Sequence, residues 1–299
     1  MGIPRGTARL LLDEAKARPF SGALLELGRM TVYVTNAELE RWAREQGVAL
    51  ARVDPPALSH QPELARHVCL DDRTFFRRLG FDRVESADVS AWEGADHVVD
   101  LNRPVPSALA GRFDVVFEAG TIQHVFHLPQ VFASIHALLK PGGRVIHGMA
   151  PSSNHVDHGF HMFSPTLFHD FYTANGWRIE AFFFFEFFSY WYRGRFHSTI
   201  WKIRRYEPGA LDALAYGGFG RGVGRQLALF VVATKVDGAT ADRIPQQSLF
   251  VRTPPAVGGP GESGEERLSP GALVLALKRW KKRLERLKPR QLPPIVKRY

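Results

Sequence analysis

The sequence has little cysteine and no long apolar run, and each absence excludes a class of protein. Cys69 is the one cysteine, so an intramolecular disulfide is impossible and a reducing compartment is expected. No apolar stretch reaches the roughly 18 residues that a membrane-spanning helix needs. Residues 1–20 lack the pattern of a signal peptide, because their apolar run is only three leucines and acids follow it. We therefore expect a cytoplasmic protein.

The composition is that of a globular protein, with 45% hydrophobic and 23% charged residues, which excludes disordered and fibrous classes. The net charge of +9 is unevenly distributed. Ten of the 39 basic residues but only one of the 30 acidic residues lie in 278–299, so residues 1–277 carry 29 of each. The basic excess therefore belongs to the C-terminal tail, and we do not expect the protein to bind nucleic acid.

Short apolar strands alternate with helices along residues 1–235, a pattern typical of a doubly wound, mostly parallel α/β sheet. Strands are predicted at 83–88, 97–100, 112–120, 144–149, 177–188 and 227–235, and helices at 9–18, 36–47, 71–81, 128–140 and 164–177. Asn36 is the expected N-cap of the second helix, and Gly47 its end. The last two strands lack a crossover helix between them, so we expect an antiparallel hairpin or a long insertion at that sheet edge.

The composition changes after residue 235 and divides the chain into three parts. Residues 1–235 form the predicted α/β domain, 236–269 a Pro/Gly-rich linker, and 270–299 a basic amphipathic C-terminal helix and tail. The apolar stripe of that helix comprises Leu273, Leu277, Trp280, Leu284 and Leu287. Such a helix suits an anionic membrane surface or an acidic partner, or packs on the domain with its charges exposed.

Acidic side chains end three successive predicted strands. Asp88, Asp100 and Glu118 each follow an apolar strand, and ligands of parallel sheets bind beyond the carboxyl ends of the strands. A carboxylate accepts hydrogen bonds from both hydroxyls of a ribose, and a second acid one strand later accepts from an exocyclic amine such as that of adenine. The pattern favours a nucleotide site over three solvated turn residues.

Four segments of the chain match motifs of one enzyme family. They are DVSAWEGADHVVDLNRPVP at 88–106, FDVV at 113–116, QHV at 123–125 and LLKPGG at 138–143. With these motifs the chain resembles the class I S-adenosylmethionine-dependent methyltransferases over roughly residues 20–235. The resemblance implies a Rossmann-like, seven-stranded sheet with an antiparallel edge and S-adenosylmethionine as the cofactor.

The resemblance also assigns cofactor-binding roles to the ends of two strands. Asp88, with Val89 beside it, would bind the ribose hydroxyls. Asp100 and Leu101 would flank the adenine.

Further along the chain, the resemblance implies a floor between cofactor and acceptor, lined by residues from Glu118 to Thr121 with Gly120 among them. His124 would then lie on the acceptor side, where it is a candidate catalytic residue.

The glycine-rich first motif of the family is degenerate in this chain. Glu26 and Gly28 are its expected cofactor-binding residues, but Arg29 and Met30 stand where further glycines belong. Arg29 would either block the pocket or reach a carboxylate or phosphate. This Leu-Gly-Arg turn, together with HGFHMFSP at 158–165, is similar to a methyltransferase-like branch of the family.

Histidines cluster in and after the strand predicted at 144–149. The cluster comprises His147, His155, Asp157, His158 and His161. We expect no metal site, because the segment reads as a loop and neither cysteine nor glutamate joins the set. Such a loop would overhang the acceptor pocket, so His158, like His124, is a candidate general base, the alternative being ordinary surface histidines.

The expected function is methyl transfer from S-adenosylmethionine to an oxygen or nitrogen of a small-molecule or carbohydrate-type acceptor. One alternative is a non-catalytic methyltransferase-like scaffold or binding subunit that has lost the cofactor. Another is a pocket for a different nucleotide, with Arg29 on its phosphate. The aromatic segment 182–192 is either a buried strand, a wall for an apolar or sugar-like acceptor, or a dimer face.

Overall fold

A mixed nine-stranded sheet organises the chain in the computed structural model, which describes residues 2–187, 201–208, 226–248 and 294–299. From one edge to the other the strands are β5 (His97–Val98), β4 (Arg83–Asp88), β2 (Ala23–Leu27), β6 (Phe113–Glu118), β7 (Leu139–Ser153), β10 (Gln226–Thr234), β8 (Arg178–Phe187), β9 (Trp201–Arg205) and β11 (Ile295–Arg298). A separate two-stranded sheet pairs β1 (Gly2–Ile3) with β3 (Thr31–Val32).

Five neighbouring strands run parallel, and the sequence analysis predicts four of them as strands, all but β2. Their spatial order is β5-β4-β2-β6-β7, which is the 3-2-1-4-5 order of doubly wound nucleotide-binding folds. The order of the strands reverses between β2 and β6, and a crevice opens there beyond their carboxyl ends. The predicted Rossmann-like α/β class is therefore confirmed.

The other half of the sheet is antiparallel and larger than predicted. β10 lies between β7 and β8 and is antiparallel to both, and β9 and β11 extend the edge with two further antiparallel pairs. The predicted antiparallel edge is present, but nine strands and equal numbers of parallel and antiparallel pairs replace the expected seven mostly parallel strands. Antiparallel neighbours need no crossover helix, so added strands can extend this edge without one.

Helices cover both faces of the sheet because each strand alternates its side chains between them. α1 (Arg5–Ala17), α2 (Asn36–Gln46) and α4 (Asp72–Leu79) share one apolar core, and α5 (Leu128–Leu138) and α6 (Pro165–Ala174) share the other. A short α3 (Pro62–Arg66) precedes α4.

The phenylalanines of β8 alternate between the two cores, so the described part of the aromatic segment 182–192 is a buried strand. Residues 188–192 lie outside the described residues.

The helix ends follow capping chemistry, with one correction to the sequence prediction. Thr35, not Asn36, caps α2: its side chain accepts from the Glu38 N–H while Glu38 bonds back to Thr35. This reciprocal capping box satisfies two backbone donors, which a cap at Asn36 would leave unpaired. Gly47 ends α2 in the left-handed conformation as predicted.

The residues after β10 remain attached to the body of the fold. The indole N–H of Trp177 donates to the Thr240 carbonyl over 2.7 Å, and the Asn175 side chain bonds both Thr240 and Arg243. The rest of the predicted linker after 248 and the predicted amphipathic helix lie outside the described residues. Residues 295–298, which the sequence analysis placed in the tail, form β11. No described helix is long and apolar enough to cross a membrane.

Candidate functional site

A cavity of about 340 Å³ opens beyond the carboxyl ends of β2, β4, β5 and β6, where the strand order reverses. Its described lining consists of Gly28, Ala87, Asp88, Val89, Val99, Asp100, Leu101, Asn102, Thr121, His124 and Val125. Seven of these residues are ones that the sequence analysis named as candidate site residues. The position is the one that open α/β sheets use for ligands.

The turn after β2 forms one end of the cavity. Gly28 adopts a φ of 77°, which only glycine adopts freely, and its N–H donates to the Ala87 carbonyl over 2.6 Å. Glu26, two residues earlier, does not line the cavity but is completely buried within β2. Its carboxyl oxygens accept no hydrogen bond from a described donor. Burial raises its pKa well above the usual range, and so does Asp72, whose carboxylate repels a charge on Glu26 and accepts a hydrogen bond from the protonated group.

Arg29 turns away from the cavity. Its Nε lies 3.1 Å from Oδ2 of Asp72 at the start of α4, and its Nη1 donates to the Glu93 carbonyl over 2.7 Å. Arg29 therefore does not line the pocket, and the carboxylate that it contacts is the protein's own Asp72, not one of a ligand. The degenerate motif therefore gives no steric reason to assign a scaffold without ligand binding.

Two strand-end acids form the polar rim of the cavity. Asp88 ends β4, and one of its oxygens accepts from the Ser90 N–H. Asp100 follows β5 and accepts from both the backbone N–H and the side-chain amide of Asn102, bonds that lower its pKa. Both acids stand on the rim of the cavity, in positions where they can accept hydrogen bonds from a ligand.

Glu118, the third strand-end acid, faces inward and does not line the cavity. Its Oε1 lies 2.8 Å from Nδ1 of His147, and Nε2 of His147 lies 2.6 Å from the Tyr172 hydroxyl, all three side chains being fully buried. Burial and Glu118 raise the pKa of Tyr172, so its hydroxyl keeps the proton and donates to Nε2. Because Nε2 of His147 accepts this bond, the N–H of the neutral imidazole is at Nδ1 and donates to Glu118.

This buried chain shapes the cavity floor indirectly. Oε2 of Glu118 accepts from the backbone N–H groups of Gly120 and Thr121, and the Thr121 hydroxyl donates to the Leu27 carbonyl. Of the predicted floor residues, Thr121 lines the cavity, whereas Glu118 and Gly120 support it. Sequence reasoning missed Tyr172, which lies on α6 and carries no motif.

The two predicted catalytic histidines are brought together. His124 ends the single 3₁₀ turn after β6 and lines the cavity, and the ring of His158 meets it edge to face with centroids 5.0 Å apart. Burial and, to a lesser extent, His158 lower the pKa of His124 below its ordinary value. His124 is therefore neutral at neutral pH and able to accept a proton.

The loop that carries His158 is docked on the same 3₁₀ turn. The Gln123 carbonyl accepts from the N–H groups of Phe160 and His161, over 2.7 and 3.2 Å. Gly159 has a φ of 92°, and a Cβ there would lie 2.8 Å from the Gln123 carbonyl oxygen. The loop can therefore approach the cavity this closely only with glycine at this position.

The remaining predicted histidines have structural contacts. His147 belongs to the buried chain described above, and the ring of His155 lies 6.4 Å from that of His158. His161 contacts the Phe126 carbonyl. In the described ranges, no group of three or more histidine, cysteine or acidic side chains is placed to hold a metal ion.

Large apolar side chains are exposed next to the histidines. Phe126 and Phe160 are 72% and 65% exposed and meet edge to face at 5.5 Å. Val156 and Met162, on the same loop as Phe160, are also exposed. Exposed apolar groups concentrated beside a cavity are a feature of binding surfaces.

Comparisons with known proteins find similarity at the level of solved structures. The 1,6-didemethyltoxoflavin-N1-methyltransferase of Burkholderia thailandensis is 16% identical, with 78% of each chain covered and a TM-score of 0.34. A methyltransferase of Thermotoga maritima is also 16% identical, with 77% of this chain and 90% of that one covered and a TM-score of 0.32. The phosphoethanolamine N-methyltransferase 2 of Haemonchus contortus is 13% identical with a TM-score of 0.38, and the match covers 79% of this chain and 54% of that one.

No protein-family model matches the sequence, and no curated protein sequence is similar to it. The Burkholderia and Haemonchus enzymes were solved with S-adenosylhomocysteine bound. All three similar structures are methyltransferases, the family that the sequence motifs resemble.

Proposed function

We propose that the protein is an S-adenosylmethionine-dependent methyltransferase whose cofactor occupies the cavity at the reversal of strand order. The observation that carries the proposal is the pair of acids, Asp88 and Asp100, on the rim of a cavity with apolar walls. A carboxylate suits the two hydroxyls of a ribose, and apolar side chains such as Val99 and Leu101 suit the faces of a purine.

The residues present fit this group. A volume of about 340 Å³ falls within the range of small-molecule sites, and the positive-φ turn at Gly28 lets a ligand approach the backbone. Arg29 leaves the cavity open because its donors bond to Asp72 and Glu93. When bound, S-adenosylmethionine supplies a methyl group already activated for displacement, so the protein mainly has to orient the acceptor.

His124 is the proposed general base. Its imidazole lines the cavity and is neutral at neutral pH, so it can take the proton that an acceptor oxygen or nitrogen loses as it becomes methylated. His158 is the second candidate, since its ring, carried by the docked loop, contacts that of His124.

The acceptor side favours an uncharged small molecule or carbohydrate-type acceptor. Phe126 and Phe160 present aromatic faces to solvent beside His158, and aromatic faces pack on flat apolar rings and on the apolar faces of sugars. The described lining of the cavity contains no lysine or arginine, the side chains that bind phosphate or carboxylate groups most strongly.

The test is calorimetric titration of the full chain with S-adenosylhomocysteine. We expect micromolar binding by the wild type and at least a tenfold loss in Asp88→Ala, since a charged hydrogen-bond acceptor is removed. Asp237→Ala is the matched control, because Asp237 is exposed in the turn after β10 at the opposite end of the sheet. Absence of binding to the folded wild type would overturn the proposal.

We also propose that the basic segment 278–299 makes a peripheral contact with an anionic membrane surface or an acidic partner in the cytoplasm, through basic residues other than Lys297, which pairs with Asp13. Salt-sensitive sedimentation with phosphatidylglycerol vesicles, compared with phosphatidylcholine vesicles, tests the membrane half of this prediction.

A further inference from the structure

Three segments meet at the guanidinium of Arg29, and two of them line the cavity. Arg29 itself belongs to the turn after β2. Its Nε and Nη2 lie 3.1 and 3.5 Å from the carboxylate oxygens of Asp72, in the first turn of α4. Its Nη1 donates over 2.7 Å to the carbonyl of Glu93, in the connection between β4 and β5.

That connection, residues 89–96, borders the cavity directly. It begins with Val89, which lines the cavity immediately after Asp88. Its far end is fixed by Asp96, whose carboxylate accepts from the Ser86 N–H and from Arg73. Between these two ends, Arg29 donates the short bond of 2.7 Å to the middle of the connection, and Gln61 adds a longer contact of 3.5 Å to the Glu93 side chain.

The fit between Arg29 and this connection is close. Gly94 has a φ of 74°, and a Cβ at that position would lie 3.0 Å from Nη1 of Arg29. The Asp72 side chain is 1% exposed and that of Arg29 16%, so the pair is shielded from water. A guanidinium can serve a carboxylate and a carbonyl at once because its donors form a rigid planar fork.

We propose that Arg29 is a positioning residue that, together with Asp72, clamps residues 89–96 against the rim of the cavity and so shapes the nucleoside half of the ligand site. The identity of that ligand rests on the proposed function. The residue that replaces the family's glycine thus supports the site from outside. The proposal predicts that Arg29→Gly weakens ligand binding. The glycine-rich motif of the family would suggest the opposite, that glycine at position 29 strengthens it.

The first experiment measures the clamp in the protein without ligand. Hydrogen–deuterium exchange of the full chain is compared for wild type, Arg29→Met and the control Arg52→Ala, whose side chain is 87% exposed. We expect several-fold faster exchange across 89–96 in Arg29→Met alone, with β2 and β4 unchanged, because only local opening becomes easier. Unchanged exchange across 89–96 would overturn the proposal.

The second experiment locates the effect within the ligand. S-adenosylhomocysteine and adenosine are titrated separately into wild type, Arg29→Met and Arg29→Gly. Loss of the clamp weakens both ligands by a similar factor, about tenfold, the loss expected for charge-assisted hydrogen bonds. Weaker S-adenosylhomocysteine with unchanged adenosine would instead place Arg29 on the amino-acid end of the ligand and refute the clamp, as would tighter binding by Arg29→Gly.

A third variant separates loss of the clamp from loss of overall stability. Arg29→Met removes the cationic partner of the buried Asp72 carboxylate, which is costly, whereas the double variant with Asp72→Asn removes both charges. Restored stability with exchange still fast across 89–96 supports a clamp, and restored protection there contradicts it. If the wild type binds neither ligand, the proposed function fails, and the exchange measurement still decides whether the clamp exists.

Discussion

The rings of His124 and His158 meet edge to face with centroids 5.0 Å apart, although 34 positions separate the two residues in the chain. The rings are so close that a positive charge on one disfavours a positive charge on the other, because like charges repel at this distance. His124 is also partly buried beside the cavity, and both effects lower its pKa. His124 therefore stays neutral, and able to accept a proton, at a pH where an isolated imidazole is beginning to be protonated.

The pH dependence of His124 follows from this arrangement. Its pKa lies below the ordinary value of about 6.5, so it remains neutral as the pH falls until that lowered pKa is reached. In His158→Ala one of the two causes is removed, and we expect the titration of His124 to move to higher pH. The measurement is an NMR titration of the imidazole protons, with His124→Gln to assign the signal.

The matched control for this titration is His67→Ala, since His67 is an exposed histidine at the end of α3. It should leave the His124 titration unchanged. A His124 pKa that does not rise in His158→Ala would show that the neighbouring ring does not influence it.

The buried chain under the cavity floor predicts graded losses of stability. Glu118 accepts from Gly120, Thr121 and His147, so Glu118→Ala leaves several buried donors unpaired and should lower the free energy of unfolding by at least about 1–3 kcal/mol. Tyr172→Phe removes a single hydroxyl and should cost about 1 kcal/mol. Urea unfolding of both variants gives the comparison, and equal losses would contradict the chain as described.

The contact between α1 and β9 predicts a strong steric effect at a small residue. A Cβ on Gly6 would lie 2.0 Å from the indole of Trp201, which is fully buried. Gly6→Ala should therefore lower the free energy of unfolding by about 1–3 kcal/mol, although alanine normally stabilises a helix. Thermal unfolding measures this loss. The control is Ala17→Gly, at the last position of α1, which should lower the free energy of unfolding by at most about 1 kcal/mol. Gly47→Ala is unsuitable as a control because Gly47 has a positive φ.

The start of α2 distinguishes the observed cap from the predicted one. Thr35→Ala removes the capping box and should lower the free energy of unfolding by about 1 kcal/mol. Asn36→Ala loses only a side-chain contact with Glu40 and should be close to neutral. Chemical unfolding of the two variants side by side is the measurement, and a larger loss for Asn36→Ala would favour the cap that the sequence suggested.

Local patterns in the sequence predicted the parallel half of the sheet. The apolar strands ending at Asp88, Asp100 and Glu118 alternate with helices whose ends are marked by glycine and capping residues, and these signals act over a few residues. The larger antiparallel edge escaped prediction because β11 consists of only four residues in a stretch that reads as a basic tail. Its partner, β9, lies more than 90 positions earlier in the chain.

The sequence by itself determined the fold class and placed Asp88 and Asp100 at the site, because strand-end position is a local property, whereas Gly28 and His124 were assigned through the family resemblance. Only the tertiary structure decided which way side chains turn. Glu118 faces His147 in the core, and Arg29 faces Asp72, 43 positions further along the chain, and not the cavity. Such pairings depend on which charges folding brings within a few ångströms in a shielded environment, and spacing along the chain carries no record of that distance.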